Sequence, residues 1–170
     1  DFTADLLNGL PLITTSHRGS SAFNLSPFQG NESELKPVID YSYDNEKLTP
    51  YSYSVYLDDQ QTTVNFGLSH QSAMYEIDFD KNEDTYLIVN SRNGVMNWAG
   101  SALSGYQLIE NNTKIYLYMN IEESPEVVSV LKNGNLNAGT SAKGRNASIV
   151  LKFPNSTKKL HVQYGISFID

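Results

Sequence analysis

Two adjacent carboxylates, Asp58 and Asp59, are the most visible residues with chemistry to offer. A carboxylate pair can act as general acid and base, or supply half of a calcium shell. Neighbouring residues on a strand point to opposite faces, however, and an Asp that follows a strand commonly hydrogen-bonds its own backbone in a turn. The pair therefore reads first as a turn. A second group, His17-Arg18, lies in the Ser/Gly-rich loop SHRGSS. Imidazole and guanidinium on one loop suit sugar hydroxyls or a carboxylate, and the same residues also fit an ordinary exposed loop. His70 and His161 fall on strands or strand ends and read as scaffold. The three histidines show no HxH or HExxH spacing, so zinc is not expected. Trp98 beside Asn97, together with the pairs Tyr41/Tyr43 and Tyr116/Tyr118, could stack on a pyranose; in strands such residues are more often core or cross-strand partners. Glycine-rich phosphate loops and G-x-S-x-G elbows are absent. Five N-x-S/T triplets, at Asn24, Asn31, Asn111, Asn146 and Asn155, matter only in a eukaryotic secretory host.

The elements that must position these residues are strands. In Tyr51–Leu57 the odd residues Tyr51, Tyr53, Val55 and Leu57 share a face; in Thr62–Leu68 Val64, Phe66 and Leu68 do; in Ala73–Phe79 Ala73, Tyr75, Ile77 and Phe79 do. Period-two alternation marks a half-buried antiparallel strand, so this is a meander whose dry face needs a cover. Further strands are read at Val38–Tyr43, Thr85–Ser91, Val95–Ala99, Leu103–Glu110, Lys114–Ile121, Val127–Lys132, Ala147–Phe153 and Leu160–Phe168. Thr85–Ser91 is nearly continuous in apolar residues, which predicts burial on both faces. DNEKLTP, KNED, SRNG and Asn133-Gly134-Asn135 read as turns, and GTSAKGRN as a flexible segment. A helical turn around Asp5–Asn8 is the single helix candidate. About ten strands at 8–12-residue spacing predict an all-β antiparallel β-sandwich. Residues 1–36, punctuated by Pro11, Gly19, Pro27 and Gly30, read as an irregular segment holding at most one strand, Leu12–Thr15; residues 37–170 form the sandwich.

Composition narrows the partners. The chain has 170 residues, a net charge of −7 and 12 scattered basic residues, which argues against nucleic acid. It contains no Cys, so disulfides, thiolate metal sites and a Cys nucleophile are excluded. No run reaches the ~18 apolar residues of a membrane span. The missing Cys also suits a bacterial exported protein, and the start DFTADLLNGLP, with neither Met nor the pattern of a signal peptide, leads one to expect a piece of something longer.

Three segments in order carry a family resemblance. YSYSVYLDDQQTTVNFGLSHQSAMYEIDF resembles a segment of the N-terminal domain of glycoside hydrolase family 92, the calcium-dependent exo-acting α-mannosidases, through Tyr53, Ser54, Val55, Leu57, Asp58, Asp59, Val64, Leu68, Tyr75 and Phe79. KIYLYMNIEESPEVVSVLKNGNLN is similar to a second. VQYGISFID resembles the end of that domain through Val162, Gly165, Ile166, Ser167 and Phe168. The resemblance implies an antiparallel supersandwich, similar to galactose mutarotase, followed by a helical (α/α)-barrel-type domain with the active site between the two. It implies that the acid Glu, the base Asp and the calcium ligands belong to that downstream domain, so no catalytic residue and no cofactor is expected in this chain. It implies further that loop residues here reach the mannose subsite. Ser16-His17 and Gly19-Ser20-Ser21 match that loop, with Arg18 intervening. A secreted or periplasmic location and mannose-containing glycans as substrates follow from the same resemblance. A different class of function, a freestanding carbohydrate-binding or adhesion domain using exposed aromatics, would make Trp98 the stacking residue.

Overall fold

The computed structural model describes residues 6–14, 21–69, 72–109 and 113–168. It contains fifteen strands and one short 3-10 turn, Glu32–Glu34. In chain order the strands are β1 (Leu7–Asn8), β2 (Leu10–Thr14), β3 (Ser21–Gln29), β4 (Asp40–Tyr41), β5 (Tyr43–Leu48), β6 (Ser52–Leu57), β7 (Thr62–Leu68) and β8 (Ala73–Phe79). They continue as β9 (Thr85–Ala99), β10 (Ala102–Leu108), β11 (Lys114–Ile121), β12 (Val127–Lys132), β13 (Asn135–Ala138), β14 (Ser141–Phe153) and β15 (Lys159–Ser167). Every pairing is antiparallel, as expected for a sandwich.

Two long strands turn one hydrogen-bonded network into two layers. One edge of β9 pairs with β3 over Thr85–Asn90 and with β10 over Gly94–Ala99, while its other edge follows β14 throughout. The first half of β9 therefore belongs to a short sheet, β2-β3-β9-β14-β12-β13. The second half opens a long one that runs β9-β10-β11-β15-β8-β7-β6-β5. Burial changes at the crossing. Thr85–Ser91 is buried throughout, Arg92 and Asn93 are exposed, and alternation follows. SRNG, read as a turn, is this crossing: the residues are polar because they cross at the surface, and the strand does not stop. β14 bends beside it at Gly144 (φ +104°) and Asn146 (φ +49°). Gly94 is required there, since a Cβ would lie 1.9 Å from the Tyr106 carbonyl oxygen.

The layers share one apolar core and are tied by tyrosines. Tyr164 of β15 donates to the Leu12 carbonyl at 2.9 Å, and Tyr75 of β8 donates to that of Pro11 at 3.5 Å; the two rings stack 6.1 Å apart. Burial raises both phenol pKa values. Of the predicted inward set of the meander, Val55, Leu57, Val64, Ala73, Tyr75, Ile77 and Phe79 are buried and Tyr53 and Phe66 half-buried, whereas Tyr51 and Leu68, at the outer ends of their strands, are exposed.

Four expectations are corrected. Among the described residues the segment through residue 36 holds more than one strand: β3 is buried along almost its whole length between β2 and β9. Its Ser, Asn, Pro and Gln suggested a loop, yet Ser26 Oγ accepts the Ile39 N–H, and Gln29 Nε2 donates to Thr85 Oγ1. DNEKLTP contains β5, an edge strand whose charge and bulge at Asp44–Lys47 discourage pairing with other chains. GTSAKGRN is mostly the first half of β14, ordered by its ladder with β9. Leu7–Asn8, the described end of the helix candidate, is a strand paired with β4.

Candidate functional site

His17, Arg18 and Ser20 lie outside the described residues, and the structure describes the strands on either side of them, β2 up to Thr14 and β3 from Ser21. The last ladder pair before the loop is Thr14–Ser21. Directly behind it sits Gln107 of β10, 3% exposed. Its Oε1 accepts the N–H groups of Phe23 and Arg92, each at 3.0 Å, and its Nε2 donates to the Ser21 carbonyl at 3.4 Å. One amide thus ties the returning end of the loop to the sheet crossing. Phe23 takes φ +57°, a left-handed conformation unusual for an aromatic residue, and its N–H is one of the two that Gln107 Oε1 accepts. The departing strand is held by Tyr164 on Leu12. Beside it a small, mainly apolar hollow is lined by Leu12, Ile13, Phe66, Leu68 and Ile166. Sequence reading missed Gln107, although its position offered a signal: it occupies the inward register of β10, in step with Leu103.

The other sequence candidates separate. Asp58-Asp59 forms the β6–β7 turn: the Asp58 carbonyl accepts the Gln61 N–H, and the Asp59 carboxylate accepts that of Ser42. Trp98 is 9% exposed and Tyr41 fully buried, which removes both as stacking platforms. His70 lies outside the described residues.

His161 on β15 is more connected than a scaffold role required. Its Nδ1 lies 2.7 Å from Glu123 Oε1, its backbone N–H donates to Glu123 Oε2, and its Nε2 lies 3.5 Å from Glu76. The hydrogen bond to Glu123 raises the imidazole pKa, with Glu122 and Glu76 adding to the effect. Glu76 is itself held low, chiefly by Lys159. Glu122, Glu123 and His161 are the one set of ligating side chains among the described residues close enough to share an ion, within 4.8 Å of one another. They do not suit calcium, which takes 6–8 oxygen ligands; a ring nitrogen is one of the three, and His161 already engages both Glu123 oxygens.

At the far end of β3 three loops enclose a polar groove of about 630 Å³. Gly30 N–H donates to the Asp84 carbonyl, Gln29 N–H to Gln60 Oε1 and Gln29 Nε2 to the Lys81 carbonyl. Asp84 pairs with Lys152 at 2.9 Å, which holds its carboxyl below the usual range.

Comparison with known proteins places this frame in context. The glycosyl hydrolase family 92 N-terminal domain matches residues 3–167. No curated protein matches. The structure resembles the family GH92 inverting mannosidase BT2199 from Bacteroides thetaiotaomicron VPI-5482, with TM-score 0.72 and 23% identity over 87% of this chain and 22% of that one. It also resembles the family GH92 α-mannosidase BT3965 from Bacteroides thetaiotaomicron, solved with mannoimidazole, with TM-score 0.86 and 16% identity over 99% of this chain and 27% of that one. The GH92 family glycosyl hydrolase ccman5 gives TM-score 0.77 at 12% identity, covering 98% of this chain and 27% of that one. At these identities the likeness speaks for the fold. The chain spans about a quarter of the length of these solved structures.

Proposed function

The chain belongs to the glycosyl hydrolase family 92 N-terminal domains, and from that premise we propose that it is the non-catalytic β-sandwich of an exo-acting, calcium-dependent α-mannosidase. In this reading it packs on a downstream helical domain that carries the acid, the base and the calcium. The loop holding His17, Arg18 and Ser20 borders the mannose subsite. The observation that carries the reading is the family match over nearly the whole chain. The Gln107 anchor supports the loop's part in it, because a subsite needs a loop whose ends are held, and a buried amide bonded to three backbone groups does that. A secreted or periplasmic bacterial setting fits the same reading. Among the described residues no helix is long and apolar enough to cross a membrane.

The test joins the chain to its downstream domain. The joined protein is expected to release mannose from α-mannosides, to lose activity on chelation and to regain it with calcium, while the 170-residue chain alone is inactive. Full activity of the chain alone would overturn the division of labour. His17→Ala in the joined protein is expected to lower turnover about tenfold, the equivalent of about 1.4 kcal/mol, with an unchanged melting temperature. Lost stability with intact turnover would assign His17 to the scaffold.

A further inference from the structure

Burial removes Trp98 and Tyr41 as stacking residues, but Tyr116 and Tyr118 lie on the outer, solvent-facing side of the long sheet, alternating along β11 with buried Ile115, Leu117 and Met119. Tyr106 of β10 stands opposite Tyr116, with ring centroids 6.1 Å apart, and the Lys114 ammonium sits 4.6 Å from the Tyr106 ring. Cross-strand packing accounts for that pair. It does not account for Tyr118. The ladder partners of Tyr118 are Ser104 on β10 and Gly165 on β15, neither of which can cover a phenol ring, and Tyr118 is 62% exposed. Tyr106 is followed in β10 by the inward-facing Gln107, so the tyrosines occupy the opposite side of the sheet from the anchor of the His17 loop.

The surroundings of the rings are uncharged. Three rows cross the sheet from Val95, Asn97 and Ala99 of β9 through β10 and β11 to β15, and none places a charged side chain on this face, in a chain of net charge −7. Exposed Asn97, Asn120 and Gln163 stand among the tyrosines instead. Asn97 Oδ1 accepts from Ser141 Oγ at 2.7 Å and Asn120 Oδ1 from Ser101 Oγ at 3.4 Å, which leaves the N–H groups of both amides as donors. One row further along β15 the character changes, and His161 with Glu76 and Glu122 begins a charged region. The aromatic patch is thus continuous, neutral and bounded.

We infer that this face is a binding platform for a neutral oligosaccharide, with Tyr116 and Tyr118 stacking on pyranose rings and Asn97, Asn120 and Gln163 hydrogen-bonding the hydroxyls. A pyranose presents a face of C–H groups to an aromatic ring and a rim of hydroxyls that both donate and accept, as side-chain amides do. Residues two apart on one strand face are about 6.6 Å apart at ~3.3 Å per residue, which sets the two rings under neighbouring units of a sugar chain. A nucleic acid or an acidic glycan would need free cations here, and Lys114 at the border is already seated on Tyr106.

The test is an NMR titration of the 170-residue chain with cellotetraose and with mannotetraose, using tetragalacturonate as the acidic comparison. At least one neutral tetrasaccharide is expected to bind with a Kd on the order of 1 mM, and tetragalacturonate at least about tenfold more weakly. Preference for either neutral chain agrees with the inference. The backbone amides of Ser104, Tyr118 and Gly165 are expected to shift. Tyr118→Ala is expected to weaken binding about tenfold at an unchanged melting temperature, since the ring is exposed, while Tyr118→Phe retains the affinity. His161→Gln, on the charged part of the same face, is expected to leave it unchanged. None of these readouts is mannose release, so their failure is distinct from a failure of the mannosidase reading. No binding of either neutral chain at concentrations on the order of 10 mM, equal binding of tetragalacturonate, or shifts confined to residues outside this face would each overturn the inference. So would unaltered affinity in Tyr118→Ala, or self-association of the chain that Tyr118→Ala abolishes in place of sugar binding. Loss of the binding in the joined protein, titrated with chelator present, would give the face to the downstream domain and overturn it as well.

Discussion

The β6–β7–β8 meander and the β2–β3–β9 corner perform the same task by different means. In the meander each strand has a wet face. Val55, Val64 and Ile77 point inward while Ser54, Asn65 and Glu76 sit on the other side, where Ser54 Oγ and Asn65 Oδ1 hydrogen-bond at 2.8 Å. In the corner, β3 and the first half of β9 are covered on both sides and lose the alternation. Polar residues there are buried and bonded inward: Asn90 Nδ2 donates to Ser148 Oγ, Gln29 Nε2 to Thr85 Oγ1, and Gln107 ties three backbone groups. A strand with a wet face advertises itself through solvent, whereas a strand buried on both faces is specified by its neighbours.

The sharpest way to break this contrast is Leu25→Ala in β3. Leu25 is fully buried, and removing its side chain is expected to cost about 3 kcal/mol in a denaturant titration, as much as Ile77→Ala in the meander. A cost below about 0.5 kcal/mol would return β3 to the irregular segment that its composition suggested. Gln107→Ala comes next, at about 2 kcal/mol, because it leaves the Phe23 and Arg92 N–H groups without their acceptor. In the joined enzyme it is also expected to lower mannosidase turnover, which a purely structural amide remote from the loop would not do.

The smallest effect separates the corner's neutral bonds from the charged clip on the meander's neighbour β15. His161 faces Glu123, Glu122 and Glu76, the last of these held by Lys159. Its folded-state pKa is raised, so its stabilisation is fully present below the unfolded value and is lost as pH rises through the folded one. Thermal unfolding across the neutral range is expected to show a decline worth a few tenths of a kcal/mol, absent in His161→Gln. Glu76 acts in the opposite sense: its lowered pKa gives stabilisation that is lost as pH falls through the folded value. An identical neutral-range slope in His161→Gln would remove the clip from the account.

What the sequence determined by itself was the class of fold, the meander and its dry face, the turn at Asp58-Asp59, and the ordered motifs that match the family. All of these are local, written in alternation, turn chemistry or short strings of residues. Tertiary structure alone decided that Thr85–Ala99 is one strand crossing between two sheets, that GTSAKGRN follows it, and that Ser21–Gln29 lies inside. It also decided that Trp98 is buried, and that Gln29 and Gln107 lie at opposite extremities of β3, one with an unpaired oxygen and one whose oxygen accepts two N–H groups. The physical reason is common to all of them. A polar residue in a buried strand takes its meaning from a partner 13 to 86 residues away, and only the folded chain brings the two together.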